Sequence, residues 1–200
     1  AVMGIEVEAE KVSAGLVTAP PPFWTSVVDN SLRNAGREFL SVPADPETIR
    51  RSLVALMTLF HDGKMGMPDF SWRTSIHVHL NMRNERMEQL LNFLVLYLLF
   101  EDSIFAVVGK DRQASNFCIP VQETDMSYGI SRMLVGKSRL GQCLYTWQKY
   151  SALNPRPILY NDHSGGPGEG ENNGKGTVEF RHLGGTYNLT DIMQWLNIIL

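Results

Sequence analysis

The sequence predicts an α+β protein: a mostly antiparallel sheet with helices packed on one of its faces. Two observations carry that expectation. Segments near residues 2–10, 74–82 and 177–183 alternate apolar and polar side chains with the period of two that a strand imposes. Between them, apolar residues recur every three or four positions, as on a helix that buries one face. With 200 residues, 44% hydrophobic and 20% charged, the chain can bury one substantial core, so a single domain over 1–200 is expected.

Taken in order, Ile5, Val7 and Ala9 share one face of the first strand, and Gly4, Glu6, Glu8 and Glu10 the other, as in a half-buried strand. The run Pro20-Pro21-Pro22 cannot continue it, and Asp29-Asn30-Ser31 reads as a turn before a second strand at 37–42. Asp45 is placed to cap a helix, Pro46 suits its first turn, and Ile49, Leu53, Leu56 and Phe60 form its apolar stripe, with Gly63 as its stop. The 74–82 strand follows. Asn84 then caps a helix whose content from Leu90 to Phe100 is so uniformly apolar that deep burial is expected. Residues 110–125 read as loop, 127–150 as one or two helices, and 155–160 as a short extended piece. The stretch 164–176 contains six glycines and reads as a mobile loop. A strand at 177–183 and a helix capped by Asn188 or Thr190 complete the chain. Both ends read as cut, inside a strand pattern and a helix pattern respectively.

Composition narrows the function classes. A net charge of −3 gives no general attraction to nucleic acid, and none is expected as a partner. The longest apolar run, Phe93 to Phe100, is far short of the roughly 20 residues that cross a bilayer, so no membrane partner is expected. Cys118 and Cys143 lack metal or redox spacing and read as reduced structural thiols. The Gly-rich stretch fails as a phosphate-binding loop of the Walker type, because Glu169 and Gly176 stand where Gly and Ser or Thr are needed. A cytoplasmic protein is the expectation.

Three strands carry chemistry. In Ser75-Ile76-His77-Val78-His79-Leu80-Asn81-Met82 the even positions are apolar and the odd ones polar, so His77 and His79 are neighbours on one face, about 7 Å apart. Two such imidazoles can serve one metal, or one metal and one phosphate oxygen. Glu6 and Glu8 share a face in the same way and repel each other unless a cation or basic group lies between them, and magnesium or manganese suits carboxylate oxygen. In Thr177-Val178-Glu179-Phe180-Arg181, a carboxylate and a guanidinium point the same way, which suits metal binding and phosphoryl transfer together. The expectation is that these charged faces converge on one pocket.

The ordered set is Gly4-Ile5-Glu6-Val7-Glu8, Asp29-Asn30-Ser31-Leu32 with Gly36-Arg37-Glu38, Ser75-Ile76-His77-Val78-His79, Arg112 with Asn116-Phe117-Cys118-Ile119-Pro120, and Thr177-Val178-Glu179-Phe180-Arg181 with Gly185-Thr186. It resembles the amidoligase family of the carboxylate-amine ligase superfamily, which also holds glutamine synthetase and glutamate-cysteine ligase. The resemblance implies a catalytic-domain fold of that type. It implies magnesium ligation by Glu6, Glu8, Glu38, His77 and Glu179, and phosphate contacts from His79 and Arg181, with Arg112 near the acyl phosphate or γ-phosphate. Asn30 replaces the family's turn glycine and tolerates the same positive φ. The implied cofactors are ATP and Mg2+ or Mn2+, and the implied partners are a carboxylate and an amine, each a small molecule or peptide. Two other readings stand beside it: a structural or assembly protein, as a homo-oligomer or in a virion, that reuses the fold, and a metal hydrolase that would take zinc.

Overall fold

The computed structural model describes residues 1–62, 66–137, 139–158 and 175–200. The stop expected at Gly63 and most of the 164–176 loop lie outside them. The chain is α+β, and it divides into two compact units, 1–79 with 183–200 and 80–182. The division passes inside two strands, between His79 and Leu80 and between His182 and Leu183.

The first unit holds β1 (Met3–Ala9), α1 (Ala14–Thr18), β2 (Trp24–Val28), β3 (Arg37–Ser41), α2 (Pro46–His61), most of β4 (Ser75–Asn81) and the C-terminal α7 (Leu189–Ile199). Its strands run in the order β2-β3-β1-β4. β3 is antiparallel to both β1 and β2. Met3, Ile5, Val7 and Ala9 of β1 and Ile76 and Val78 of β4 are buried, as are Ile49, Leu53, Leu56, Met57 and Phe60 of α2. α2 lies against β1 and α7. Phe39 of β3 meets Phe60 of α2 edge to face at 5.1 Å between ring centres. Asp45 caps α2 by accepting from the Glu47 and Thr48 amides, and Asn188 caps α7 through the Thr190 amide.

Two sequence expectations change here. The 11–28 region contains a short helix and the strand β2, which the proline run obscured; the strand starts after Phe23, beyond the prolines' reach. In the β2–β3 connection, positive φ falls at Asn34 and Ala35 rather than at Asn30. Asp29 instead holds this turn by accepting from the Ser31 amide and hydroxyl at 2.8 and 2.9 Å.

The second unit holds α3 (Met87–Val108), α4 (Lys110–Gln113), α5 (Met126–Leu134), α6 (Leu140–Tyr145), the two-residue β5 (Leu153–Asn154) and most of β6 (Thr177–Gly184). β5 is antiparallel to β6. The 110–125 stretch, expected as loop, contains α4 and a 3-10 turn at Val121–Glu123. A second 3-10 turn, Arg156–Ile158, stands where an extended piece was expected.

α3 departs most from expectation. It is capped at Arg86 rather than Asn84 and extends through Val108, beyond the apolar stretch that ends at Phe100. Its buried face is Leu90, Leu94, Tyr97, Glu101 and Phe105, while Leu96, Leu99 and Phe100 are 55%, 72% and 58% exposed. Deep burial is therefore overturned: where nearly every residue is apolar, periodicity no longer marks the inner face. By length and composition alone this 22-residue helix is long and apolar enough to cross a membrane, a test that core helices of soluble proteins also pass.

The two faces give a stability prediction. Leu94→Lys puts a charge into the core and is expected to abolish cooperative unfolding in urea, whereas Leu99→Lys shifts the unfolding free energy by less than about 0.5 kcal/mol. Equal damage from both would contradict the assigned orientation of α3.

Candidate functional site

In the first unit, the sequence pattern places Glu6, Glu8, His77 and His79 on the face of β1 and β4 opposite the apolar core. They are nevertheless buried, at 9%, 3%, 1% and 6% exposure, so β1 is not the half-solvated strand its alternation predicted. Instead of water, these groups have one another. The Ser75 hydroxyl donates to Glu8 Oε2 at 2.5 Å and lies 2.6 Å from His77 Nε2. His77 Nδ1 is 3.2 Å from Glu6 Oε2, and His79 Nε2 is 2.8 Å from Glu6 Oε1. A continuous chain thus runs Glu8–Ser75–His77–Glu6–His79.

Glu38 joins it through strand register, since β3 sets Glu38 directly opposite Glu8. Glu8, Glu38 and His77 each offer one ligand atom, all within 4.8 Å of one another. Burial raises the Glu38 carboxyl, and repulsion from Glu6, Glu8 and Asp29 with a hydrogen bond to Glu6 raises it further, to about 10. Glu6 moves the other way. Burial alone would raise it, but the two histidines beside it outweigh that and hold it well below the ordinary carboxyl value.

In the second unit, Glu179 and Arg181 share one face of β6. They form a buried ion pair between Arg181 Nη1 and Glu179 Oε1. Asn154, opposite Glu179 on β5, donates from Nδ2 to Glu179 Oε2 at 2.7 Å. Arg181 Nε donates to the Phe117 carbonyl at 3.3 Å, and its guanidinium lies over the Tyr150 ring. Arg112 is buried, and its Nε and Nη2 donate to the carbonyls of His182 and Arg181 at 3.0 and 2.8 Å. His182, on the opposite face of β6, is fully buried; burial and the Arg112 charge lower it to about 3, so it is neutral.

A family model described as "Putative amidoligase enzyme" matches residues 55–200. The chain belongs to this amidoligase family. A search of curated proteins and one of solved structures each returned no significant match. The amidoligase match covers His77, His79, Arg112, Glu179 and Arg181, while Glu6, Glu8 and Glu38 precede it. Those three carboxylates are tied to the matched segment through β4, where His77 and His79 meet Glu6.

Sequence reasoning left out Ser75, Asn154, Tyr97 and Glu101 as functional groups. Ser75 had a legible signal, the same strand parity as His77. Glu101 had one as well, being an acid within an apolar helix four residues after Tyr97. Asn154 had none, since only the β5–β6 register places it beside Glu179. Both cysteines are free and buried, and burial pushes the Cys118 thiol up to about 11, which agrees with a structural role.

The Glu38 shift has a definite sign. A carboxyl whose folded value is raised from 4.5 to about 10 stabilises the fold fully below 4.5, and that contribution is lost as pH climbs toward 10. In the presence of a chelator, urea stability is therefore expected to fall between pH 6 and pH 9. Glu38→Gln should flatten the slope, and added magnesium should restore stability at pH 9 by taking the proton's place. A wild-type slope matching that of Glu38→Gln would refute the cluster's electrostatics.

Proposed function

We propose that the protein is an ATP- and magnesium-dependent carboxylate-amine ligase. The observation that carries this reading is the cluster of buried Glu6, Glu8, His77 and His79 with half-buried Glu38, in a chain of the amidoligase family. The donor set fits a hard divalent cation: carboxylate oxygens with one imidazole, packed closely enough that one carboxyl holds a proton far above its normal range. Glu8, Glu38 and His77 Nε2 would hold the cation, which would take the place of the Ser75 hydroxyl at that nitrogen, while Glu6 at Nδ1 orients the His77 ring. Bound there, it would supply neutralisation of phosphate charge.

In the reaction, a substrate carboxylate oxygen attacks the γ-phosphorus of ATP, and ADP leaves with the bridging electrons. The amine nitrogen then attacks the acyl carbon of the resulting acyl phosphate. Phosphate departs with the C–O electrons, and the nitrogen loses its proton to solvent or phosphate. The chain needs no nucleophilic side chain for this. Its work is alignment and charge stabilisation, for which we infer phosphate contacts from Arg181 and His79. The substrates inferred are a carboxylate and an amine, each a small molecule or peptide.

The test is magnesium-dependent ADP release by purified protein given pools of carboxylates and amines, with amide product followed by mass. Glu8→Gln and His77→Ala are each expected to lower the rate by about 100-fold or more while the protein still folds. Absence of any nucleotide binding with magnesium present would overturn the reading.

A further inference from the structure

Arg112 sits in the segment that the resemblance aligns with a phosphate-binding role, yet its guanidinium is turned onto its own main chain. It spans two consecutive carbonyls of β6, those of Arg181 and His182. A planar guanidinium bonded to adjacent carbonyls fixes both peptide planes, since neither can rotate without losing a charge-assisted bond. The residue so held is Arg181, the cation of the proposed phosphate site.

A second set of bonds closes around the same point. Glu101, with 0% exposure, accepts from the amides of Val121 and Gln122 at 2.6 and 2.9 Å and from the Tyr97 hydroxyl at 2.5 Å. The Tyr97 oxygen lies 2.9 Å from His182 Nε2. Because Tyr97 gives its only proton to Glu101, it accepts from His182, which sets His182 as the Nε2–H tautomer. Val121 is four residues from Phe117, whose carbonyl receives Arg181 Nε. The circuit is complete: Glu101 to the 117–122 segment, to Arg181, to His182, to Tyr97 and back to Glu101. Main-chain bonds stiffen it, with the Ala152 amide on the Ile119 carbonyl at 2.7 Å and the Arg181 amide on the Ala152 carbonyl at 2.8 Å.

We propose that Arg112 and the Glu101–Tyr97–His182 relay are positioning residues that fix the orientation of the Arg181 guanidinium, and that Arg112 itself contacts no phosphate. Buried polar groups cost free energy unless they are satisfied, and this unit buries an acid, a phenol, an imidazole and a guanidinium in one network. The network joins α3, the 117–122 segment and β6, and its bonds meet at Arg181 and the residue after it. An arginine held in advance loses less side-chain freedom when charge develops beside it, so the benefit falls on the transition state rather than on substrate binding.

The importance of this network to catalysis rests on the ligase reading; the orientation of Arg181 does not, and the experiment separates them. In 15N-labelled wild-type protein, the Arg181 Nε–H resonance, assigned by its loss in Arg181→Lys, is expected to exchange with water at least about tenfold more slowly than that of Arg51, whose side chain is 74% exposed. Tyr97→Phe removes one hydroxyl and should shift or broaden the Arg181 signal in a protein that still unfolds cooperatively. If that variant does not fold, the wild-type exchange rate alone decides, and exchange as fast as Arg51 overturns the proposal. An unchanged Arg181 signal in folded Tyr97→Phe also overturns it.

Kinetically, Tyr97→Phe and Arg112→Lys are each expected to lower kcat about tenfold with the KM for ATP within about twofold, because lysine cannot bridge two carbonyls in one plane. A rise in the KM for ATP with kcat preserved would instead mark Arg112 as a phosphate contact and overturn the proposal. A wild-type protein with a protected Arg181 and no turnover would refute the ligase reading and leave the positioning of Arg181 standing.

Discussion

Everything else in the first unit is arranged around the electrostatic cost of carboxylates crowded out of water. Two carboxylate charges about 5 Å apart repel by about 3 kcal/mol at an effective dielectric near 20, and burial adds a desolvation cost to each. Glu6 escapes through two imidazoles and remains ionised. Glu38 has no such relief and retains a proton. A set of side chains that cannot all carry their usual charge is costly to the apo fold, and a divalent cation removes that cost, which is why the cluster supports a metal function better than a structural one.

The second unit resolves its buried charges by a different route. Glu179 and Arg181 neutralise each other, and Asn154 occupies the remaining carboxylate oxygen. Arg112 and Glu101 are instead surrounded by backbone dipoles, carbonyls for the first and amides for the second. Because peptide groups are held by covalent chain on both sides, charges anchored this way also hold the segments that carry them. The polar network therefore doubles as scaffolding for β6, with an apolar packing of Phe180, Tyr97, Phe105 and His182 rings around it.

Strand parity made most of the candidate site legible. Glu6 with Glu8, His77 with His79, and Glu179 with Arg181 each sit two residues apart, and a period-two backbone puts such pairs on one face whatever the tertiary context. Helix limits were legible where a cap was present, as at Asp45 and Asn188. The start was missed at α3, where Asn84 offered a cap by residue type but the helix begins after Arg86. β2 was missed because its pairing with β3 is a tertiary event between a short neutral segment and a strand beyond a turn.

What the sequence determined alone is therefore local: which residues alternate, where a cap or a proline starts or stops a helix, and which pairs of chemical groups must point the same way. Tertiary structure decided which of those faces is buried and by what. It set Glu38 against Glu8 through the β1–β3 register, placed Asn154 against Glu179 through β5 and β6, and turned Arg112 toward the main chain. Those outcomes depend on hydrogen-bond partners tens of residues away, and short-range periodicity carries no information about which distant group will satisfy a buried charge.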